Sequence, residues 1–376
     1  MASSSSFLRL ILLFSLLFVI KAAKTASQRH RFTSIFSFGD SLADTGNYVL
    51  TNKTSRLGSL PYGETYFHRP SGRASNGRLV VDFVAEALGI PLLPPYLGSK
   101  NKVLTKGVNF AVSGATAVDV SFFIKKGFMY KTNLTLGVQL QWFQQLLPSL
   151  CGSPSNCKEF FKKSLFLVGE IGGNDYNHPF SQKRSVEEIR SIIPKVVHAI
   201  SSAVNTLIGY GAVTLFVPGN LPIGCSAYYL TLHSSSNKVD YDTSGCLTSF
   251  NEFSKYHNNL LQKELKRLQV LHPNVTIIYG DYYNAAIDLY YSPSKLGFSK
   301  GGLRACCGGG GSYNFNTSAL CGNPGFTVCE DPSSYVSWDG IHLTEAAYKW
   351  IANFLLQHSL LISKVTIVSS NNVSNI

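Results

Sequence analysis

A chain of 376 residues that is 45% hydrophobic and only 14% charged has ample material for a packed core, which excludes an intrinsically disordered protein. Its formal charge of +12 is scattered, densest at Lys125-Lys126, Lys162-Lys163 and Lys263–Arg267, and no basic stripe with interleaved aromatics marks a nucleic-acid site. A surplus of this kind acts on solubility and on weak adhesion to acidic polymers rather than on fold.

The first segment is a weakly basic lead, Met1–Arg9, followed by the apolar run Leu10–Ile20 (LILLFSLLFVI) and the small residues of Ala22–Ser27. Such a run is too short to span a bilayer and suits the core of a secretory signal peptide. Residues 1–26 therefore read as the signal, and 27–376 as a single mature domain. Phe32–Phe38 reads as a strand ending at Gly39, and Leu79–Leu88 as a helix with Val80, Phe83, Val84 and Ala87 on one face. Val108–Val112 is a second strand, closed by Ser113-Gly114, and Ser164–Val168 a third, followed by the glycine-rich EIGGND. Val186–Ile208 is helical, with a kink or boundary expected at Pro194. Ala212–Val217 is a fourth strand stopped by Pro218-Gly219, Phe250–Leu271 a helix, Val275–Tyr279 a fifth strand and Thr344–Leu356 a closing helix. No segment after the signal reads as a transmembrane helix.

Strands with continuous apolar runs, alternating with helices, predict a parallel sheet covered on both faces. Ligands of such sheets bind outside the carboxyl ends of the strands, at a topological switch. GDSLADTGN, SGAT and GGND all lie just past strand ends, so three loops distant in sequence meet at one edge.

A secreted chain makes the eight cysteines (151, 157, 225, 246, 306, 307, 321 and 329) disulfide partners, with the pairing left open. Their spacing is not that of zinc knuckles, so no metal is expected. Sequons at Asn52, Asn133, Asn274, Asn316 and Asn372 permit N-glycosylation.

The chemistry turns on Ser41, in Phe36–Asn47 (FSFGDSLADTGN). A serine hydroxyl needs an imidazole to take its proton and a carboxylate to hold that imidazole's tautomer. Asp339 stands three residues before His342, just ahead of the closing helix, so one short loop can present both. A tetrahedral intermediate also needs fixed donors. The Ser41 N–H, the Gly114 N–H and the side-chain amide of Asn174 are the candidates. By itself Gly172-Gly-Asn-Asp175 reads as a turn. The rival serine, Ser299 in Gly297-Phe-Ser-Lys-Gly301, lacks the preceding strand and following helix that a nucleophile elbow requires. Cys306-Cys-Gly-Gly-Gly-Gly-Ser312 lacks the Gly-Lys-Ser/Thr ending of a phosphate loop and reads as a disulfide-pinned loop. Asp44 and Asn47 read as turn-shaping residues, and Tyr282, Tyr283, Tyr290 and Tyr291 as packing residues.

Gly39-Asp-Ser-Leu42, Asn109-Phe-Ala-Val-Ser-Gly-Ala-Thr116, Gly172-Gly-Asn-Asp175 and Asp339-Gly-Ile-His342 together resemble the four spaced blocks of the GDSL esterase/lipase family, the SGNH hydrolases. The stretches Pro61-Tyr-Gly-Glu-Thr65, Ser71–Leu79 and Val217–Cys225 resemble its secreted plant branch. The resemblance implies a flavodoxin-like three-layer α/β/α sandwich with a mostly parallel sheet. It also implies Ser41 as nucleophile, His342 as base, Asp339 as its orienter, and Ser41, Gly114 and Asn174 as the oxyanion hole. Where other members carry Gly-Gly in block two, this chain has Ser113-Gly114, so Ser113 is left without a role. The implied activity is hydrolysis of carboxylic esters through an acyl-enzyme, without cofactor or metal, on small-molecule or lipid esters (acetyl, acyl or hydroxycinnamoyl). Transfer of the acyl group to another metabolite is the alternative. A non-catalytic binding protein ranks below both, because binding gives no reason to keep all five residues. The implied location is extracellular, in the apoplast, with the vacuole as the other destination. Substrate choice is assigned to the loops Asn52–Gly63, Asp119–Thr132 and Tyr228–Thr243.

Overall fold

Five short runs rich in Phe, Leu, Ile and Val build the centre of the molecule. In the computed structural model, which describes residues 32–99 and 102–360, these are β1 (Ser34–Phe38), β2 (Gly107–Asn109), β3 (Ser164–Val168), β4 (Thr214–Pro218) and β5 (Thr276–Gly280). All pair in parallel, in the order β2-β1-β3-β4-β5. The signal-peptide segment 1–26 and the sequon at Asn372 lie outside the described residues.

Side chains alternate across a strand with a period of two, so a sheet buried on both faces has to be apolar at every position. Phe36, Phe38, Phe166, Val168, Leu215 and Val217 enter one core, whereas Ile35, Leu165, Leu167 and Phe216 enter the other. The main helices are α1 (Val80–Ala87), α2 (Leu136–Cys151), α3 (Pro154–Phe161), α4 (Gly173–Ser181), α5 (Ile193–Gly209), α6 (Thr248–Leu271), α7 (Tyr282–Tyr291) and α8 (Glu345–Leu355). Phe143 of α2, Phe161 of α3, Val204 of α5 and Phe253 of α6 cover the first face. Val84 of α1, Leu289 of α7 and Ile351 of α8 cover the second. The result is a three-layer α/β/α sandwich with the flavodoxin-like strand order. Phe36 sits at its centre, with the rings of Phe143, Phe160, Phe161 and Phe166 within 6.2 Å. Truncating it to alanine costs about 3–5 kcal/mol by loss of burial and the cavity left behind.

The order has a functional consequence. From β1 the chain crosses to β2 on one side and then returns to β3 on the other, which opens a crevice at their carboxyl ends. The loops after β1, β2 and β3 all project there.

Several elements differ from the sequence reading. The second strand pairs only through Asn109. Phe110 N and Val112 N still donate to Ser37 O and Gly39 O at 2.7 and 3.0 Å, but the β1–β2 ladder stops at the Ser37–Asn109 pair, while β1 runs on to Phe38 against β3. The helical break falls at Ser191-Ile192 instead of at Pro194. Pro194 occupies the first turn of α5, where its missing N–H has no intrahelical partner to lose. An 18-residue window of Val186–Gly209 reaches a mean hydropathy of 1.3, so by length and composition alone this stretch passes as a membrane-crossing helix, but half of that window is buried inside the fold. Helices α2, α3, α4 and α7 had no counterpart in the sequence reading, and the prolines inside α2 and α4 (Pro148 and Pro179) masked them.

The cysteines pair as Cys151–Cys157, Cys225–Cys246, Cys306–Cys329 and Cys307–Cys321, leaving none free among the described residues. Asn133, Asn274 and Asn316 are exposed. Asn52 is half-buried, and its Nδ2, the atom a glycan would occupy, donates to Tyr48 Oη at 3.1 Å. Ser299 is exposed after a 3₁₀ turn, with no strand before it.

Candidate active site

The loop after β1 is shaped by its own carboxylates. Gly39 has φ +146°, and a Cβ there would lie 2.9 Å from Glu170 O, so only glycine lets β1 end against β3 in this way. Asp44, fully buried, accepts from Gly46 N and Asn47 N at 2.7 Å each, from Tyr48 N at 3.1 Å and from Ser113 N at 2.8 Å. One side chain thus closes the Ser41 turn and ties it to the loop after β2. Asn47 adds two bonds from Nδ2, to Asn109 O and Ala111 O.

The loop before α8 holds Asp339 and His342. Asp339 Oδ1 accepts from Ile341 N at 3.1 Å and His342 N at 2.9 Å, which folds the loop back on its own carboxylate. His342 Nδ1 lies 2.8 Å from Asp339 Oδ2, and His342 Nε2 lies 2.8 Å from Ser41 Oγ, although the last two residues are 301 positions apart. Tyr62 Oη donates to Asp339 Oδ2 at 2.7 Å. Burial alone would raise the Asp339 carboxyl; the His342 charge and hydrogen bond, with the Arg56 charge, instead hold it well below the usual carboxylate range. Tyr62, fully buried and set edge-on to Trp338, escaped the sequence reading. Its only signal was its place in Pro61-Tyr-Gly-Glu-Thr65.

The three donor candidates converge on the same edge. Neither Ser41 N–H nor Gly114 N–H has an acceptor among the described residues, whereas Ser113 N–H is taken by Asp44. That difference separates Gly114 from the serine before it. Gly114 has φ +87°, which glycine adopts without strain. Asn174 stands in the first turn of α4, so GGND opens a helix where the sequence suggested a turn, with Gly172 at φ +106° as its N-cap. Asn174 Nδ2 bonds Ala115 O and Asp40 Oδ2, each at 3.1 Å. The next residue, Asp175, accepts from Ala117 N and Val118 N at 2.7 and 3.0 Å and fastens the β2 loop to α4. Burial pushes its carboxyl up to about 7 despite those bonds.

Ser41 borders two cavities. The larger, about 310 Å³, is lined by His342, Gly114, Asn174, Asn52, Arg56 and Lys131 among others. The smaller, about 60 Å³, is lined by Asp40, Glu170, Asn220, Tyr229 and Tyr290. Burial, together with neighbouring carboxylates, pushes Asp40 up to about 7, and burial and Asp40 push Glu170 well above its ordinary value. Each of the three loops expected to select substrate lines one of the cavities, through Asn52 and Thr54–Leu57, Lys131 and Tyr229. The sequence reading missed Leu320 and Asn323, which the Cys307–Cys321 bridge carries to the larger one. Among the described residues no cluster of three or more His, Cys, Asp or Glu could hold a metal ion.

Comparison with known proteins adds a second line of observation. The family model for GDSL-like lipase/acylhydrolase matches residues 35–355. Among curated relatives, the GDSL esterase/lipase At1g28600 of Arabidopsis thaliana is 52% identical over 351 residues, 92% of this chain and 89% of the relative. GDSL esterase/lipase At1g28610 of the same plant is 51% identical over 362 residues, 95% of this chain and 94% of the relative. A solved structure of a catalytic mutant of an acetylxylan esterase from Geobacillus stearothermophilus aligns at 12% identity and a TM-score of 0.39, covering 86% of this chain and 93% of that one.

Proposed function

The chain belongs to the GDSL-like lipase/acylhydrolase family, and from that premise we propose that it is a secreted serine esterase hydrolysing carboxylic esters through an acyl-enzyme on Ser41. The observation that carries this reading is the line of contacts from Ser41 Oγ to His342 Nε2 and from His342 Nδ1 to Asp339 Oδ2, each 2.8 Å. Ser41 attacks the ester carbonyl while His342 removes its proton, and Asp339 holds the tautomer and stabilises the imidazolium. The oxyanion is received by Ser41 N–H, Gly114 N–H and Asn174 Nδ2, the amide releasing one of its two bonds, to Ala115 O or Asp40 Oδ2, as the charge develops. His342 next protonates the leaving alcohol, and water activated by the same imidazole releases the acid.

Acetyl, acyl and hydroxycinnamoyl esters are the substrate classes in view. Four disulfides support secretion, with residues 1–26 as the signal, 27–376 as the mature domain and the apoplast as the destination. The test is Ser41→Ala purified beside the wild type and assayed on a short-chain chromogenic ester. Loss of turnover, with an acyl adduct seen on the wild-type protein by intact mass, is expected. Equal turnover by the two proteins would overturn the nucleophile assignment. Product analysis with an alcohol acceptor present separates free acid from a transferred ester.

A further inference from the structure

We propose that the larger cavity beside Ser41 holds an anion subsite made by Arg56 and Lys131, and that the preferred substrates are esters bearing a free carboxylate. This rests on the esterase reading above and names its substrate class.

Both cations line the cavity that contains Ser41 and His342, and no lining residue is Asp or Glu. Neither has a carboxylate within ion-pair distance among the described residues. The nearby carboxylate, Asp339, is already committed to His342, Tyr62 and two backbone N–H groups. Arg56 makes one long bond, from Nη1 to Cys321 O at 3.4 Å, so most of its donor fork is unused. Lys131 is exposed along one side, but its stem crosses Gly114 so closely that a Cβ there would lie 3.0 Å from its Cδ. Its amine turns over the Tyr48 ring, 5.4 Å from the centroid. Crowding of that amine and the adjacent Arg56 charge draw Lys131 below its ordinary value. Two unpaired cations facing one cavity repel each other until an anion enters between them. A guanidinium matches a carboxylate two-pronged, which favours this anion over a halide-like point charge. The smaller cavity, with Asp40 and Glu170, has the opposite character. A charged ester is therefore oriented at Ser41, its carboxylate toward Arg56.

A near-isosteric pair of probes tests this: the acetyl esters of 4-hydroxybenzoate and of 4-hydroxybenzamide, which place a carboxylate or a neutral amide at the same position. The wild type should favour the carboxylate ester by about tenfold in kcat/KM, after subtraction of background hydrolysis. Arg56→Gln and Lys131→Gln should each cut that ratio by about fivefold or more, mainly through KM, and about 0.5 M salt should weaken it further. In parallel, Ser41→Ala protein should bind 4-hydroxybenzoate more tightly than 4-hydroxybenzamide by calorimetry, and lose that preference when Arg56→Gln is added. A ratio near one in the wild type, or equal losses on both esters in the variants, overturns the subsite. Failure to hydrolyse either ester counts against the esterase reading instead, and the binding measurement then decides the subsite alone.

Discussion

Replacing Asp339 by asparagine should leave the loop in place and invert its chemistry. Oδ1 is pinned by two donors, Ile341 N and His342 N, so the new amide has to put its oxygen there. Its NH₂ then takes the place of Oδ2, facing Tyr62 Oη and His342 Nδ1, which stood 2.7 and 2.8 Å from that oxygen. The tyrosine hydroxyl can rotate to accept. His342 Nδ1 lies 2.8 Å from the atom that becomes this donor and 3.0 Å from the oxygen that remains, so the nearer contact now favours an imidazole that accepts at Nδ1 and carries its proton on Nε2, the nitrogen 2.8 Å from Ser41 Oγ. The base is thereby lost while the geometry persists. Wrong-tautomer variants of this kind lose about 10⁴ in kcat, which at 1.36 kcal/mol per decade is about 5.5 kcal/mol of barrier. Initial rates on a short chromogenic ester, with circular dichroism to show that the fold is intact, make the measurement. A folded Asp339→Asn protein retaining more than about a tenth of wild-type kcat would refute the tautomer argument.

Tyr62→Phe removes the donor 2.7 Å from Asp339 Oδ2. A hydrogen bond to a charged group is worth about 1.5–3 kcal/mol, so kcat should fall about tenfold at constant KM. An unchanged kcat would mean that the loop backbone and His342 hold the carboxylate unaided. Asn174→Ala deletes one proposed oxyanion donor and should lower kcat by about 10²–10³, and a change confined to KM would place the residue outside the transition-state contacts. His257, held 2.7 Å from Tyr176 Oη, is depressed by burial from 6.5 to about 3. The unfolded chain takes a proton there that the folded protein refuses, so this contribution is full above pH 6.5 and is lost as pH falls toward 3. Asp40 and Asp175, raised to about 7, act with the opposite sign: they lose stability as pH rises from 3.8 to 7 and partly mask the histidine. Urea unfolding of His257→Gln and wild type at pH 7 and 4 separates them, the variant gaining about 3 kcal/mol of relative stability in acid. Parallel curves would refute the assignment.

Much of the sheet was legible because buried parallel strands are continuous apolar runs, and Gly39 and Gly169 end two of them visibly. Two of the four unread helices share a different physics. Leu136–Cys151 and Gly173–Ser181 contain prolines, and the latter opens on a glycine, so local propensity argues against a helix. Tertiary packing overrides it, through Phe143 in the one and Tyr176 and Phe180 in the other. At the site, Ser41, Gly114, Asn174, Asp339 and His342 could be singled out because each stands in a short polar or glycine-rich stretch of sequence. Tyr62 could not. It sits 277 residues from the carboxylate it bonds, and nothing in its own neighbourhood points to Asp339.

From sequence alone came the strands, the turns that end them and the residue types suited to acyl transfer, since period, turn chemistry and side-chain chemistry are all local properties. Tertiary structure decided which loops meet. The order β2-β1-β3-β4-β5 brings the ends of β1, β2 and β3 to one crevice, and the segments packed around the sheet pair the eight cysteines and bring Arg56 and Lys131 to one cavity. In the linear chain those two cations belong to a diffuse surplus of positive charge. Only the fold shows them facing Ser41 without a carboxylate partner, because pairing of charges depends on distances that no local pattern encodes.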